Sequence, residues 1–427
     1  MQKISKTEIG YHKVQDYFKN NFYIPNDWNY LEFSNVVLVN PKTEITTKSA
    51  IYIPMDAVNK ETGTVNYIEE RNVSENGSLP KFQKNDILFA RITPSTENGK
   101  VCIIEKFDYG IASSELIVLR PTNKVLPKYL FYFVKSDRIR KFAISQMMGT
   151  TGRQRVPDNV FKKYLRFELP TLEEQQQIAS VLSKVDELIE KTDQIIKETQ
   201  RLKKGLMQRL LTKGIGHTKF KKTKLGEIPE EWEIMKLYQI CKQITDGVHK
   251  TPQYLNEGIP FISVNNLSEG KINFKNCKFI SPKEHKELIK RCNPIKGDIL
   301  LSKVGTLGIA DIITTDFEFS IFVQLALLKP EPSKIYSLYL KYVLNSKELQ
   351  NQINNNASGS TLRYIGINKI DNLSIPYPSL KEQQQIASIL SKVDELIQKQ
   401  QNNKSNLENL KKGLMQKLLT GKIRVKV

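Results

Sequence analysis

The sequence predicts a mixed α/β (α+β) chain built as module, long helix, module, long helix, with the helices antiparallel and the whole approximately twofold symmetric. Three observations predict it. Residues 172 to 212 return without a gap at 380 to 420, an offset of 208, with 27 of 41 positions identical. Apolar residues in both segments fall on a heptad seam. Short β-branched and apolar runs, broken by Gly, Pro, Asn and Asp, recur in the stretch before each segment. A repeat of this length is far longer than a solenoid unit and marks duplicated domains.

The boundaries that follow are a module over 1–170, a helix over 171–213, a basic connector with a second module over 214–378, and a helix with the C-terminal tail over 379–427. Strands are expected at ILFARI, KVCIIE and LIVLR in the first module, and at GIPFISV, DILLSKV and IFVQLALL in the second. Helical stretches, LPKYLFYFVKSDRIRKFAISQ and SLYLKYVLNSKELQNQI, come late in each. Weaker echoes tie the modules together. IPNDW (24 to 28) answers IPEEW (228 to 232), and these hold the only tryptophans, Trp28 and Trp232. NDILFAR (85 to 91) answers GDILLSK (297 to 303), and at the helix offset Arg155 falls opposite Arg363.

Each long helix starts after a proline, Pro170 or Pro378, with Thr171 or Ser379 as N-cap and Glu174 or Glu382 at capping-box spacing. The seam runs through Ile178, Leu182, Val185 and Ile189 in one copy and Ile386, Leu390, Val393 and Ile397 in the other. It weakens in the middle and resumes around Leu206 and Leu414. At about 1.5 Å per residue each helix is a rod on the order of 60 Å, too long for burial in one module. Gly205 and Gly413, each costing roughly 1 kcal/mol inside a helix, suggest a close backbone approach or a bend.

A formal charge of +20 points to a polyanionic partner. The helices carry little of it: residues 172 to 212 hold seven basic and seven acidic side chains, and 380 to 420 hold seven and four. The charge therefore sits on the modules and connector. No apolar run approaches a membrane span, and a cytoplasmic protein is expected. Cys102, Cys241, Cys277 and Cys292 are too dispersed for a metal or disulfide framework. Phosphate-loop, dinucleotide, zinc-protease and amino-methylating motifs are absent, and Glu284 and Lys286 in PKEHK read as a solvated helix start. No catalytic or metal site is expected.

At IPxxW, at the late GTTGRQRVP and SGSTLRYIG segments, and above all at P-x-L-x-EQQQIA with its helix ending in LKKGLMQ-x-LLT, the sequence resembles the specificity subunit of a type I DNA restriction-modification system. DGVHKTPQY (246 to 254) and GIPFISVNNL (258 to 267) resemble the opening of target-recognition domains in that family. Residues 11 to 23 depart from the pattern and have no assigned role.

The resemblance implies a non-catalytic subunit whose two target-recognition domains read the halves of a bipartite double-stranded DNA site. It also implies helices that set the gap and bind two modification subunits carrying the S-adenosylmethionine, with motor-nuclease restriction subunits joining for cleavage. Bidentate chemistry on loops then nominates Arg91, Arg153, Gln154 and Arg155 in the first module as base readers. In the second it nominates His249, Lys250, Lys303, Arg363 and Tyr364. Lys219, Lys221 and Lys222 in the connector are candidates for phosphate, with a solvated flexible linker as the other reading. The rival function is a coiled-coil scaffold whose basic modules hold nucleic acid without sequence preference, although aromatic platforms for single strands are not evident. A self-sufficient methyltransferase is disfavoured by the missing motifs.

Overall fold

The computed structural model describes residues 10–15, 21–150, 152–268 and 270–426. The chain divides into two compact units, Met1–Ile195 with Gln400–Val427, and Ile196–Lys399. Each unit thus takes one module and one half of each long helix, because the helix halves bury their apolar faces in the module cores. In the first unit Ile178 and Leu182 share a core with Leu418 and Leu419, and with Trp28, Phe133 and Phe167. In the second, Leu210 and Leu211 join Ile386, Ala387 and Leu390 around Trp232 and Tyr339.

The two modules repeat one topology. A four-stranded antiparallel sheet runs Val37–Val39, Leu116–Pro121, Ile87–Ala90, Val101–Ile103 in the first. Its counterpart runs Cys241–Asp246, Leu325–Pro330, Ile299–Ser302, Ala310–Ile312 in the second. Ile87–Ala90 and Ile299–Ser302 are buried throughout, as expected of inner strands covered on both faces. A second sheet in each module includes a parallel pair, Ser49–Ile53 with Tyr109–Ala112 and Ile259–Ile262 with Ser320–Ile321. The run IFVQLALL is therefore split, its start in one sheet and Leu325–Pro330 in the other.

Each late helical stretch is also two helices rather than one. Pro127–Lys135 ends at Ser136, whose hydroxyl caps Asp137–Ser145 by accepting from Ile139 N–H. Ser346 caps Lys347–Asn356 after Ser337–Leu344 in the same way. A serine in each stretch supplies the local competitor for the backbone that stops one helix and starts the next.

Of residues 11 to 23, unassigned in the sequence, 16–20 lie outside the described residues, and Tyr11–Gln15 pairs antiparallel with Asn21–Pro25. The connector forms its counterpart, Phe220–Thr223 with Gly226–Pro229, so it is not a flexible tether. Both hairpins lead directly into the IPxxW segment. Four cysteines are unpaired, and burial pushes the Cys102 thiol up to about 12. Among the described residues no cluster of His, Cys, Asp or Glu could hold a metal, and no helix is long and apolar enough to cross a membrane.

Candidate nucleic-acid interface

Each module presents a short loop closed at its base by reciprocal backbone hydrogen bonds. In the first, Met148 and Arg155 exchange N–H and C=O at 2.9 and 2.8 Å. In the second, Ser358 and Tyr364 do so at 2.9 Å each. Gly149, Gly152 and Gly359 adopt left-handed backbone there, which lets the chain reverse tightly. Both tips are stitched to the loop following the inner strand. Val156 N–H donates to Arg91 O at 2.7 Å and Thr93 N–H to Gln154 O at 3.1 Å. Ile365 N–H donates to Lys303 O at 2.9 Å and Gly305 N–H to Arg363 O at 2.8 Å. These bonds make Arg91 equivalent to Lys303, Gln154 to Arg363 and Arg155 to Tyr364. The helix offset is therefore one residue out at the tip, and the expected pairing of Arg155 with Arg363 is corrected.

Arg153, Gln154 and Arg155 thus share one tip, and Arg363 and Tyr364 share the other. Their availability differs. Arg153 is exposed and makes no side-chain bond to a described residue, whereas Arg155 is held bidentate by Glu115, at 2.6 and 2.9 Å. Arg363 donates to Asn354 Oδ1 and O, and Tyr364 is about half exposed. Arg91 pairs with Asp158 at 3.2 Å and donates to Val156 O. Lys303 is buried against Asp246 at 2.6 Å, and Asp246 also takes Arg291 and His249. Lys250 is exposed beside them. On the connector hairpin Lys219, Lys221 and Lys222 are all exposed, with Lys221 donating to Glu230 O.

The long helices are Leu172–Lys213 and Leu380–Leu418. Within each unit they run antiparallel: Asp186 pairs with Lys411 and Asp193 with Lys404 in the first, and Asp394 with Lys203 in the second. Ile178, Leu182, Val185, Ile386, Leu390 and Val393 are buried, and Ile189, Leu206, Ile397 and Leu414 are half-buried. The predicted seam is therefore internal packing, and a partner would meet other residues. Leu188 and Leu410, beside the Asp186–Lys411 pair, are 50% and 51% exposed. Their repeat equivalents Leu396 and Leu202 are 53% and 56% exposed, beside Asp394–Lys203. A Cβ on Gly205 or Gly413 would meet nothing within 4 Å, so no close approach within the chain requires either glycine.

The family model for the type I restriction modification DNA specificity domain matches residues 25–201 and 229–409. The chain belongs to this family. It is 31% identical to the MjaX type I restriction enzyme specificity subunit of Methanocaldococcus jannaschii, over 100% of this chain and 97% of that one. It is 32% identical to the MjaVIII specificity subunit of the same organism, over 80% of each chain. In fold it is similar to a chain solved within a type I R-M system, with a TM-score of 0.62 and 20% identity over 94% of this chain and 100% of that one. It is also similar to the type I S subunit from M. genitalium, with a TM-score of 0.54 and 17% identity over 95% and 99%. It is a DNA sequence-recognition subunit with two recognition modules, and a scaffold without sequence preference is not favoured.

Three features of this specificity subunit escaped the sequence. The acids that occupy the candidate readers, Glu115, Asp158 and Asp246, carry no local pattern that names their cations. The tips carry exposed apolar side chains, Met148 and Leu362, which a search for bidentate chemistry passes over. The third is the fate of the helix-start glutamates. Thr171 and Ser379 cap as expected, accepting from Glu174 and Glu382 N–H at 3.3 and 3.4 Å. The carboxylates, however, do not complete a capping box. Glu174 accepts from Trp28 Nε1 at 2.8 Å and from Arg424 at 2.6 and 2.8 Å. Glu382 accepts from Trp232 Nε1 at 2.9 Å and meets His217 at 2.9 Å. Each IPxxW tryptophan therefore locks its module onto the start of one helix and the segment that follows the other.

Proposed function

We propose that each module of this subunit reads one half of a bipartite, asymmetric double-stranded DNA site, and that the helix pair sets the gap between the halves. One observation carries the reading: the stitched loop is built alike in both modules, yet its outward sequence differs, GTTGRQR against SGSTLRY, while the helices repeat almost unchanged. Different loops on one scaffold give different half-sites, and pseudo-twofold readers give an interrupted target. The repeated exposed leucines, Leu188 with Leu410 and Leu202 with Leu396, support two equivalent docking surfaces for two modification subunits.

Those subunits supply the S-adenosylmethionine chemistry, and motor-nuclease restriction subunits join the same assembly in the cytoplasm. Lys219 and Lys222 hold phosphates, and Lys250 with the exposed residues of the tips faces base edges. Methylation mapping of host DNA with and without this chain tests the reading. Two unequal half-sites with a fixed gap, lost on deletion, are expected. A continuous or palindromic motif overturns it.

A further inference from the structure

Met148 and Leu362 are the most exposed large apolar side chains among the described residues, at 69% and 61%. Water is a poor neighbour for either, and neither is needed by a core. Both belong to the stitched tips, one in each module, on backbone fixed by the bonds between Met148 and Arg155 and between Ser358 and Tyr364. The cation beside Leu362 is engaged, since Arg363 donates to Asn354 Oδ1 and O. Leu362 and Tyr364 are therefore among the exposed side chains of the second tip, and Met148 and Arg153 among those of the first.

Base edges in the DNA grooves present donors and acceptors, and the apolar group among them is the C5-methyl of thymine in the major groove. We propose that Leu362 and Met148 each contact a thymine methyl, one in each half-site, and so select thymine by apolar burial at one position. The inference rests on the reading that these tips face bases. The alternative use of an exposed apolar residue on DNA is as a wedge between base steps, which needs a side chain standing clear of its loop. Leu362 is anchored on one side, its Cδ1 lying over Gly305, 4.0 Å from where a Cβ on that glycine would be. It offers a flank to the groove. Met148, with an unbranched thioether, can follow a methyl with little steric demand. The first tip then combines one cation with one apolar contact, the second an apolar contact with a phenol, which fits unequal half-sites.

The experiment uses the subunit assembled with its modification subunits, as wild type and as Leu362→Ala, Met148→Ala and Arg153→Ala. Each is bound to duplexes of the mapped target in which thymines are replaced one at a time by deoxyuridine, which lacks only the methyl. Loss of one buried methyl predicts about fourfold weaker binding at one position per half-site. That sensitivity should vanish in Leu362→Ala for the second module's half and in Met148→Ala for the first module's half. Insensitivity at every position, a half-site with no thymine on either strand, or sensitivity unchanged in the variants would overturn the proposal. Arg153→Ala separates the two levels of inference. If it relaxes one base of the first half-site while deoxyuridine has no effect, the tips read DNA and the apolar contact is wrong. If it too leaves the motif unchanged, the assignment of the tips fails.

Discussion

Asp246 is buried and shared by Lys303, Arg291 and His249, so two cations and an imidazole near a reading tip depend on one carboxylate. Burial alone would raise this carboxyl, but the hydrogen bond and charge of Lys303, helped by His249, hold it below the ordinary carboxylate value. A depressed carboxyl contributes stability that is complete above the unfolded value of about 3.9 and is lost as pH falls through the folded one. Asp246→Asn leaves Lys303 buried without a counter-charge, and a loss of about 3–5 kcal/mol is expected. Chemical denaturation should show that loss constant between about pH 5 and 8 and shrinking below about pH 4. A loss unchanged by acid would mean that packing, not charge, is responsible. Arg153 offers the opposite case. Arg153→Ala should leave stability unchanged and relax one base position by about 1–3 kcal/mol, whereas Lys219→Ala should weaken all sequences alike and lower the salt slope by about one. Methylation mapping and salt titration separate them. The sequence placed these residues on loops, because Gly-flanked polar segments between apolar runs are legible as turns. It could not show which cations were taken, since Arg155 meets Glu115 across 40 residues and Lys303 meets Asp246 across 57.

At the scale of the element, the long helices were the most legible part of the chain. Proline, a hydroxyl cap and a heptad seam are local signals, and identity between two copies removes the ambiguity of each. The hairpin at Tyr11–Gln15 was not legible, because its equivalence to the connector hairpin lies in pairing and not in residue identity. Nor was the use of Glu174, whose partner Trp28 is 146 residues away. The helix surface carries a prediction that the seam does not. Leu188→Glu with Leu410→Glu should change thermal stability little, as expected of exposed sites, and should lower the number of bound modification subunits from two to one. Leu202→Glu with Leu396→Glu should do the same, and all four together should abolish assembly. Mass measurement of the purified complexes reads the stoichiometry directly. Two subunits retained in the fourfold variant would remove these leucines from the interface.

At the scale of the whole molecule, the question is whether the helix pair measures distance on DNA. The register pairs residue 186 with 411, 193 with 404 and 203 with 394. Removing residues 190–196 from the first helix and 401–407 from the second deletes segments that face each other. It keeps the Asp186–Lys411 and Lys203–Asp394 pairs, and it sacrifices only Asp193–Lys404 among the three. Seven residues are close to two helical turns, so the apolar faces stay nearly in phase. The deleted middle is also where the two copies differ most, with one identity in twelve positions, so it is under the least common constraint. Neither tip is touched. Shortening by about 10 Å should then bring the half-sites closer by at most about three base pairs at about 3.4 Å each, with both half-site sequences retained. Methylation mapping of the variant gives both quantities in one measurement. A shortened gap with unchanged halves establishes the helix pair as the ruler, an unchanged gap assigns the spacing to the modules, and altered halves would place part of the reading on the helices themselves.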